Sequence, residues 1–165
     1  MPVVLFRIDE RLIHGQVVVG WGSQLHPDVL VVVDDELAVS TWEQDLYCMG
    51  LPPNLEIRFL GVEEARAELS RWRDSPKRIF VLTRDVQTMS RLAEGGTMAG
   101  EEVNLGGIHH APGREQVLPY VFLSAEEREE LGRLTGEGVR VTAQDLPGAR
   151  RVPMAGVSGG SPPGK

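Results

Sequence analysis

Eight residues, Arg7-Ile8-Asp9-Glu10-Arg11-Leu12-Ile13-His14, bring two guanidinium groups and two carboxylates to within seven positions of one histidine. A neutral imidazole presents a ring-nitrogen lone pair without help from a strong base, so His14 can act as a nucleophile as it stands. Attack on a phosphoryl group would give a phosphorus–nitrogen bond of high transfer potential, which suits an intermediate carrier. The moving group must be held by positioned donors and cations. Arg7 and Arg11 fit that task, because their planar forks match phosphate oxygens better than an ammonium does. Asp9 is placed to pair with one of these arginines or with the second imidazole nitrogen. Gly15 and Gln16 follow at a helix start, where backbone N–H groups can face an anion. The plain alternative for His14 is a histidine that caps or packs at that helix start.

Seven apolar runs can supply the scaffold: Val3 to Ile8, Val29 to Val33, Leu55 to Leu60, Ile79 to Leu82, Val103 to Leu105, Val121 to Leu123 and Val139 to Val141. They alternate with stretches of helical spacing at Gln16 to Gln24, Leu37 to Met49, Val62 to Arg73, Val86 to Glu94 and Ala125 to Leu134. The alternation predicts an α/β fold, a single open, mainly parallel twisted sheet with helices on both faces. Ser124 followed by Glu127 predicts a capping box at the last helix. His14 then falls on a turn at the carboxyl end of the first strand, where open α/β sheets bind ligands. Asp34 and Asp35 end the second strand and either share in that crevice or sit as charge at a helix start. Gly106 and Gly107 end the fifth, followed by His109-His110. The segment 156–165, rich in Gly, Ser and Pro, is expected to be a flexible tail behind a domain of residues 1–155.

Other chemistries have less support. A formal charge of −7 argues against a nucleic-acid footprint. No Walker-type loop, dinucleotide fingerprint or nucleophile elbow occurs, so the phosphoryl donor should be another protein rather than a nucleotide. A metal site built from His14, His109, His110 and Asp35 is conceivable, yet no ligand spacing of a known metal motif is present, and neither metal nor cofactor is expected. Cys48, the single cysteine, reads as a buried small apolar residue, and His26 as a surface residue before Pro27. No signal sequence or membrane-spanning run is evident, which predicts a cytoplasmic protein.

Together, the segment from Arg7 to Val17, Val31-Val32-Val33-Asp34-Asp35-Glu36 and Val103-Asn104-Leu105-Gly106-Gly107 resemble the IIB component of the mannose/fructose/sorbose family of the bacterial sugar phosphotransferase system. The resemblance implies that His14 accepts a phosphoryl group, on Nδ1, from a phosphorylated IIA component and passes it to a hexose entering through membrane IIC and IID components. It implies a protein-phosphohistidine–sugar phosphotransferase, peripherally associated with the inner face of the membrane. Arg7, Asp9 and Arg11 would assist catalysis, and Gly15, Gln16, Asp34, Asp35 and Gly107 would bind phosphate or partner. A regulatory module without sugar transport would need the same acceptor. Two positions depart from the family's pattern: Glu10 stands where aspartate is usual, lengthening the carboxylate's reach, and His109-His110 lies outside it.

Overall fold

The computed structural model describes residues 3–154; the expected tail at 156–165 lies outside them. Among the described residues there are nine strands and five α-helices, strand and helix alternating from the first strand to the fifth as the sequence predicts. Strand β1 (Val3–Ile8) runs down the middle of a seven-stranded sheet between β4 (Ile79–Thr83) and β5 (Glu102–Leu105), parallel to both. On one side of β4 lie β2 (Val29–Val33) and β3 (Glu56–Leu60); beyond β5 lie β8 (Arg140–Ala143) and β9 (Val152–Pro153). All pairings are parallel except the last, β8 with β9. Strands β2 and β4 are buried along their whole length, which is why they read as unbroken apolar runs rather than alternating ones.

The sheet divides two apolar layers. One face of β1, β2 and β4 packs through Phe6, Ile8, Val31 and Val81 against α3 (Val62–Arg73), α4 (Val86–Ala93) and α5 (Ala125–Gly136). The other packs through Leu5, Leu30, Val32 and Phe80 against Leu12, Ile13, Val17, Trp21 and Leu37. The helices on that second face are the less regular ones. Gln16–Trp21 winds as a π-helix before α1 (Gly22–Leu25), and three successive valines there crowd the preceding turn. The single helix expected from Leu37 to Met49 is broken at Ser40 into a short 3-10 turn, Leu37–Val39, and α2 (Thr41–Cys48). Asp34 Oδ1 accepts from the amides of Glu36 and Leu37, each at 3.0 Å, and thereby ties off that tight turn.

One strand expectation and one burial expectation need correction. Val121 to Leu123 (β7) is not in the main sheet; it pairs antiparallel with β6 (Glu115–Leu118) in a separate hairpin. Its alternating burial suits a hairpin laid over the core edge, and the seventh strand of the sheet is instead Val152–Pro153. Cys48 is exposed at the end of α2 rather than buried, because that helix has no fully buried residue. The predicted capping box is present: Ser124 Oγ accepts from Glu127 N at 3.1 Å and Glu127 Oε1 from Ser124 N at 2.8 Å.

Adjacent strands β1 and β5 send their outgoing chains to opposite sides, β1 toward β2 and β5 toward β8. Their carboxyl ends therefore open a crevice at a topological switch point. The segment carrying His14 and the loop carrying Gly107 are its two lips.

Candidate functional site

The turn after β1 is tied down by its backbone. Asp9 N donates to Thr83 O and Glu10 N to Gly107 O, both at 2.9 Å, so the turn is stitched to the ends of β4 and β5. Leu12 N returns to Asp9 O at 3.0 Å. Leu12 is fully buried with φ of 55°, a left-handed conformation that costs a residue with a Cβ about 1–3 kcal/mol. Burial of Leu12 and Ile13 in the second apolar layer holds that strained bend in place. The bend turns His14 back toward Asp9.

Beneath the turn lies a charged cluster. Arg7 and Asp9 are both 0% exposed. Arg7 Nη1 donates to Asn104 Oδ1 and to Gln144 O at 2.8 Å; Nη2 donates to Asp145 O at 3.0 Å and Asp9 Oδ2 at 3.2 Å. Its guanidinium also lies 5.1 Å from the centre of the Trp21 ring. Arg7 is thus a buried brace that orients Asp9. Burial pulls its pKa below the ordinary arginine value, with Asp9 pulling the other way. For Asp9, burial would raise the carboxyl, but hydrogen bonds from Arg11 and the charge of Arg7 outweigh it and hold the group below its usual range.

Arg11 closes over Asp9 from the solvent side. Its N and Nε reach Oδ1 at 3.1 and 3.2 Å, and its Nη2 reaches Oδ2 at 3.3 Å. His14 Nε2 lies 3.7 Å from that same Oδ2, and its side chain is 17% exposed. His14 Nδ1 is 2.9 Å from Leu12 O. A carbonyl oxygen can only accept, so Nδ1 carries the proton in this arrangement and the neutral ring's lone pair is on Nε2. The predicted acceptor and three predicted assistants are therefore in one contact cluster. At the helix start the amides of Val17 and Val18 donate to His14 O at 3.0 and 2.9 Å.

The Gly106-Gly107 lip fits closely against this cluster. A Cβ on Gly106 would fall 2.5 Å from both Arg7 Cζ and Asp9 Oδ2, so glycine is required there. The doubled glycine is the signal in the sequence for this close approach, which falls on Gly106 rather than on Gly107. Arg114 carries no comparable local signal. Glu10 Oε1 accepts from His109 N at 2.7 Å and lies 3.2 Å from His109 Nδ1, while Oε2 accepts from Arg114 Nη1 at 2.8 Å. Arg114 continues to Glu127 in a bidentate pair at 3.0 and 2.8 Å. Burial would lower Arg114, but its bonds to Glu10 and Glu127 hold it above the ordinary value. The long reach of Glu10 thus clamps the loop after β5 onto the turn that carries His14.

Asp34 and Asp35 brace neighbouring segments. Asp34 Oδ2 accepts from Arg84 Nε at 2.8 Å, and Asp35 accepts from Val62 N at 2.9 Å and Arg91 Nη1 at 3.1 Å. The Val62 amide and Arg91 hold Asp35 below its usual range. These contacts join β2 to α3, α4 and the end of β4. The residues of the conceivable metal site do not converge: His109 sits on Glu10, and His110 packs edge-on against Phe122. Among the described residues no group of three or more His, Cys, Asp or Glu is arranged to hold a metal.

Beside His14 opens an apolar groove of about 540 Å³, lined by Ile13, Val18, Val19 and the outer face of α2 with Trp42, Leu46 and Met49. Val19, Trp42, Leu46 and Met49 are exposed. Arginine-clamped carboxylate, imidazole and apolar groove meet at one mouth of the sheet.

Comparison with known proteins gives this arrangement its context. Residues 3–159 match the family model described as PTS system sorbose subfamily IIB component. The N-acetylgalactosamine-specific phosphotransferase enzyme IIB component 1 of Escherichia coli is 35% identical over 152 residues, 90% of this chain and 94% of the relative. The crystal structure of an N-acetylgalactosamine-specific IIB component 1 from Escherichia coli superposes with a TM-score of 0.80 at 32% identity, covering 91% of this chain and 97% of that one. A structure of manxB from Thermoanaerobacter tengcongensis gives 0.80 at 31% identity, covering 94% and 93%. A strand-turn-helix that presents His14 over an arginine-held carboxylate, together with a match across nearly the whole described chain, shows that this protein belongs to the mannose/sorbose family of phosphotransferase-system IIB components, the phosphoryl carriers of sugar uptake.

Proposed function

We propose that His14 is the residue that carries the phosphoryl group. The observation behind this reading is the shared Asp9 Oδ2, with His14 Nε2 at 3.7 Å and Arg11 Nη2 at 3.3 Å, which keeps a guanidinium beside the imidazole. In the first step the N–P bond of a phosphohistidine on a IIA component breaks, its electron pair stays with the donor nitrogen, and a P–N bond forms to His14. In the second that bond breaks, the pair returns to His14, the sugar hydroxyl oxygen gains the phosphoryl group, and its proton passes to the imidazole nitrogen that phosphorus has left. Arg11 meets the charge of the moving group, while Arg7 and Asp9 hold Arg11 in place. Transfer to Nδ1 requires the ring to leave Leu12 O and its proton to move from Nδ1 to Nε2, the nitrogen that faces Asp9 Oδ2 at 3.7 Å.

Family membership implies IIA and membrane IIC and IID partners in general. The phosphorylated IIA component docks on the groove of Trp42, Leu46 and Met49, since that groove borders the acceptor and a donor must cover it to bring its phosphoryl group to His14. Among the described residues no helix is long and apolar enough to cross a membrane, and the protein works at the inner membrane face through its IIC and IID partners. The substrate is a hexose, and N-acetylgalactosamine, named for the relative above, is the first to test.

Incubation with enzyme I, HPr, a mannose-family IIA component and phosphoenolpyruvate should place one phosphoryl group on His14 by mass spectrometry. His14→Ala should lose it completely while keeping the wild-type circular dichroism spectrum. The phospho-form should be acid-labile and base-stable. Undiminished label in the variant, or acid-stable label, eliminates His14 as carrier.

A further inference from the structure

His14 Nε2 is buried and makes no hydrogen bond, an arrangement that native interiors rarely tolerate without a use for it. Asp9 Oδ2, at 3.7 Å, is beyond hydrogen-bond reach and is already engaged by Arg7 and Arg11. A lone pair on Nε2 therefore sits beside a buried carboxylate, out of reach of an incoming phosphorus. A second proton on Nε2 would leave the ring with no lone pair at all. The other nitrogen, Nδ1, gives its proton to Leu12 O at 2.9 Å. Neither nitrogen is presented to a donor, although the side chain is partly exposed. The residue that supplies the carbonyl is itself fixed: Leu12 has φ of 55°, is fully buried, and its amide donates to Asp9 O at 3.0 Å. Room for the ring to turn exists, because His14 lines the groove of about 540 Å³ together with Ile13, Gly15 and Val18.

Resting on the reading of His14 as carrier, we propose that the Leu12 carbonyl is a latch that keeps His14 closed at rest, both ring nitrogens withheld from phosphoryl donors until the side chain turns Nδ1 out into the groove. On opening, the hydrogen bond from Nδ1 to Leu12 O breaks. Nδ1 then gives its proton to water and Nε2 takes one from water, so the ring stays neutral and its lone pair is on Nδ1. That pair forms the bond to phosphorus as the donor's own bond to phosphorus breaks. Leu12 is thus a positioning residue that acts on the reaction through His14. The reactivity of the acceptor is scaled by the fraction of molecules that are open. Such a latch favours a donor that stays docked beside His14 over one that merely collides with it.

The test uses the intact protein and two small reagents that need no partner. Potassium phosphoramidate is a chemical phosphoryl donor: its N–P bond breaks, ammonia leaves, and a P–N bond forms to histidine. Diethyl pyrocarbonate places an ethoxycarbonyl group on an unprotonated imidazole nitrogen, with loss of ethanol and carbon dioxide. Both products are located by fragmentation mass spectrometry. At about pH 8, above the range in which imidazoles ordinarily titrate, wild-type protein labelled with ¹⁵N-histidine should show His14 with its proton on Nδ1 and none on Nε2 by long-range proton–nitrogen correlation. Diethyl pyrocarbonate should modify His14 about tenfold more slowly than the exposed His26, which corresponds to an open fraction of about one tenth. Leu12→Ala keeps the left-handed position but loses the buried side chain that anchors it. Phosphoramidate should then label His14 up to about tenfold faster, the limit set by a fully open acceptor, whereas a merely structural role for Leu12 would slow it. A resting wild-type His14 protonated on Nε2, or modified as fast as His26, overturns the latch whether or not the variant folds. Labelling no faster than wild type in a Leu12→Ala protein with the wild-type circular dichroism spectrum overturns it as well. Each of these results leaves the carrier reading intact. Phosphoryl label absent from His14 in the wild type overturns the carrier reading itself.

Discussion

At the scale of single residues, Asp9 organises the site. It accepts from Arg7 and Arg11, lies near His14, and is wholly buried, so its charge is tolerable only because it is surrounded by donors. Asp9→Asn would leave the Arg7 guanidinium buried without a counter-charge, and we expect a loss of about 3–5 kcal/mol in urea unfolding. The pH dependence has a definite sign. The folded-state pKa of Asp9 is lowered, so its contribution is fully present above the unfolded value of about 3.9 and disappears as pH falls from there through the folded value. The urea midpoint should therefore lose this component below about pH 4, and Asp9→Asn should lack it. An Asp9→Asn protein as stable as wild type at pH 7 would show that the pair is not what holds the turn.

The relevant elements are β1 and β5, whose carboxyl ends bring the two halves of the site together. Gly106 N donates to Ile8 O at 2.7 Å, extending their pairing to the point where the strands part. No room is left for a side chain there, because the Arg7 and Asp9 atoms a Cβ would meet are buried and hydrogen-bonded. Gly106→Ala should cost about 1–3 kcal/mol in urea unfolding by overpacking and should slow phosphorylation by displacing Asp9. Equal stability and rate would show that the lip yields freely. The α5 cap belongs to the same scale. Glu127 both closes the Ser124 capping box and holds Arg114, so a helix start is coupled through Arg114 to Glu10 on the turn that carries His14.

For the whole molecule, the two faces of the sheet have different duties. The face covered by α3, α4 and α5 is a continuous core. The opposite face carries the strained turn of Leu12 and His14, the π-helical segment and α2, and there Trp42, Leu46 and Met49 stand in solvent beside His14. Large apolar side chains gathered at one mouth indicate recognition. Trp42→Ser with Leu46→Ser should raise the KM for phosphorylated IIA about tenfold and leave the rate with phosphoramidate unchanged, since the chemical donor needs no docking surface. A KM equal to wild type would place the donor elsewhere.

The α/β class, the core strands and the exact span of α3 were legible because they rest on local pattern, apolar runs and helical spacing over long stretches. His14, Arg11 and Asp9 were legible because they are close in the chain. The pairing of β7 was not, since three apolar residues fit a hairpin as well as a sheet strand. Neither was the break at Ser40, which depends on an aspartate capping the turn before it. The sequence alone determined that Arg7, Asp9, Arg11 and His14 share one strand-to-helix turn. Only the tertiary structure decided that Asn104, Gly106 and Arg114, some hundred residues away, complete it, because parallel strands pair across long connections and bring distant loops to one edge.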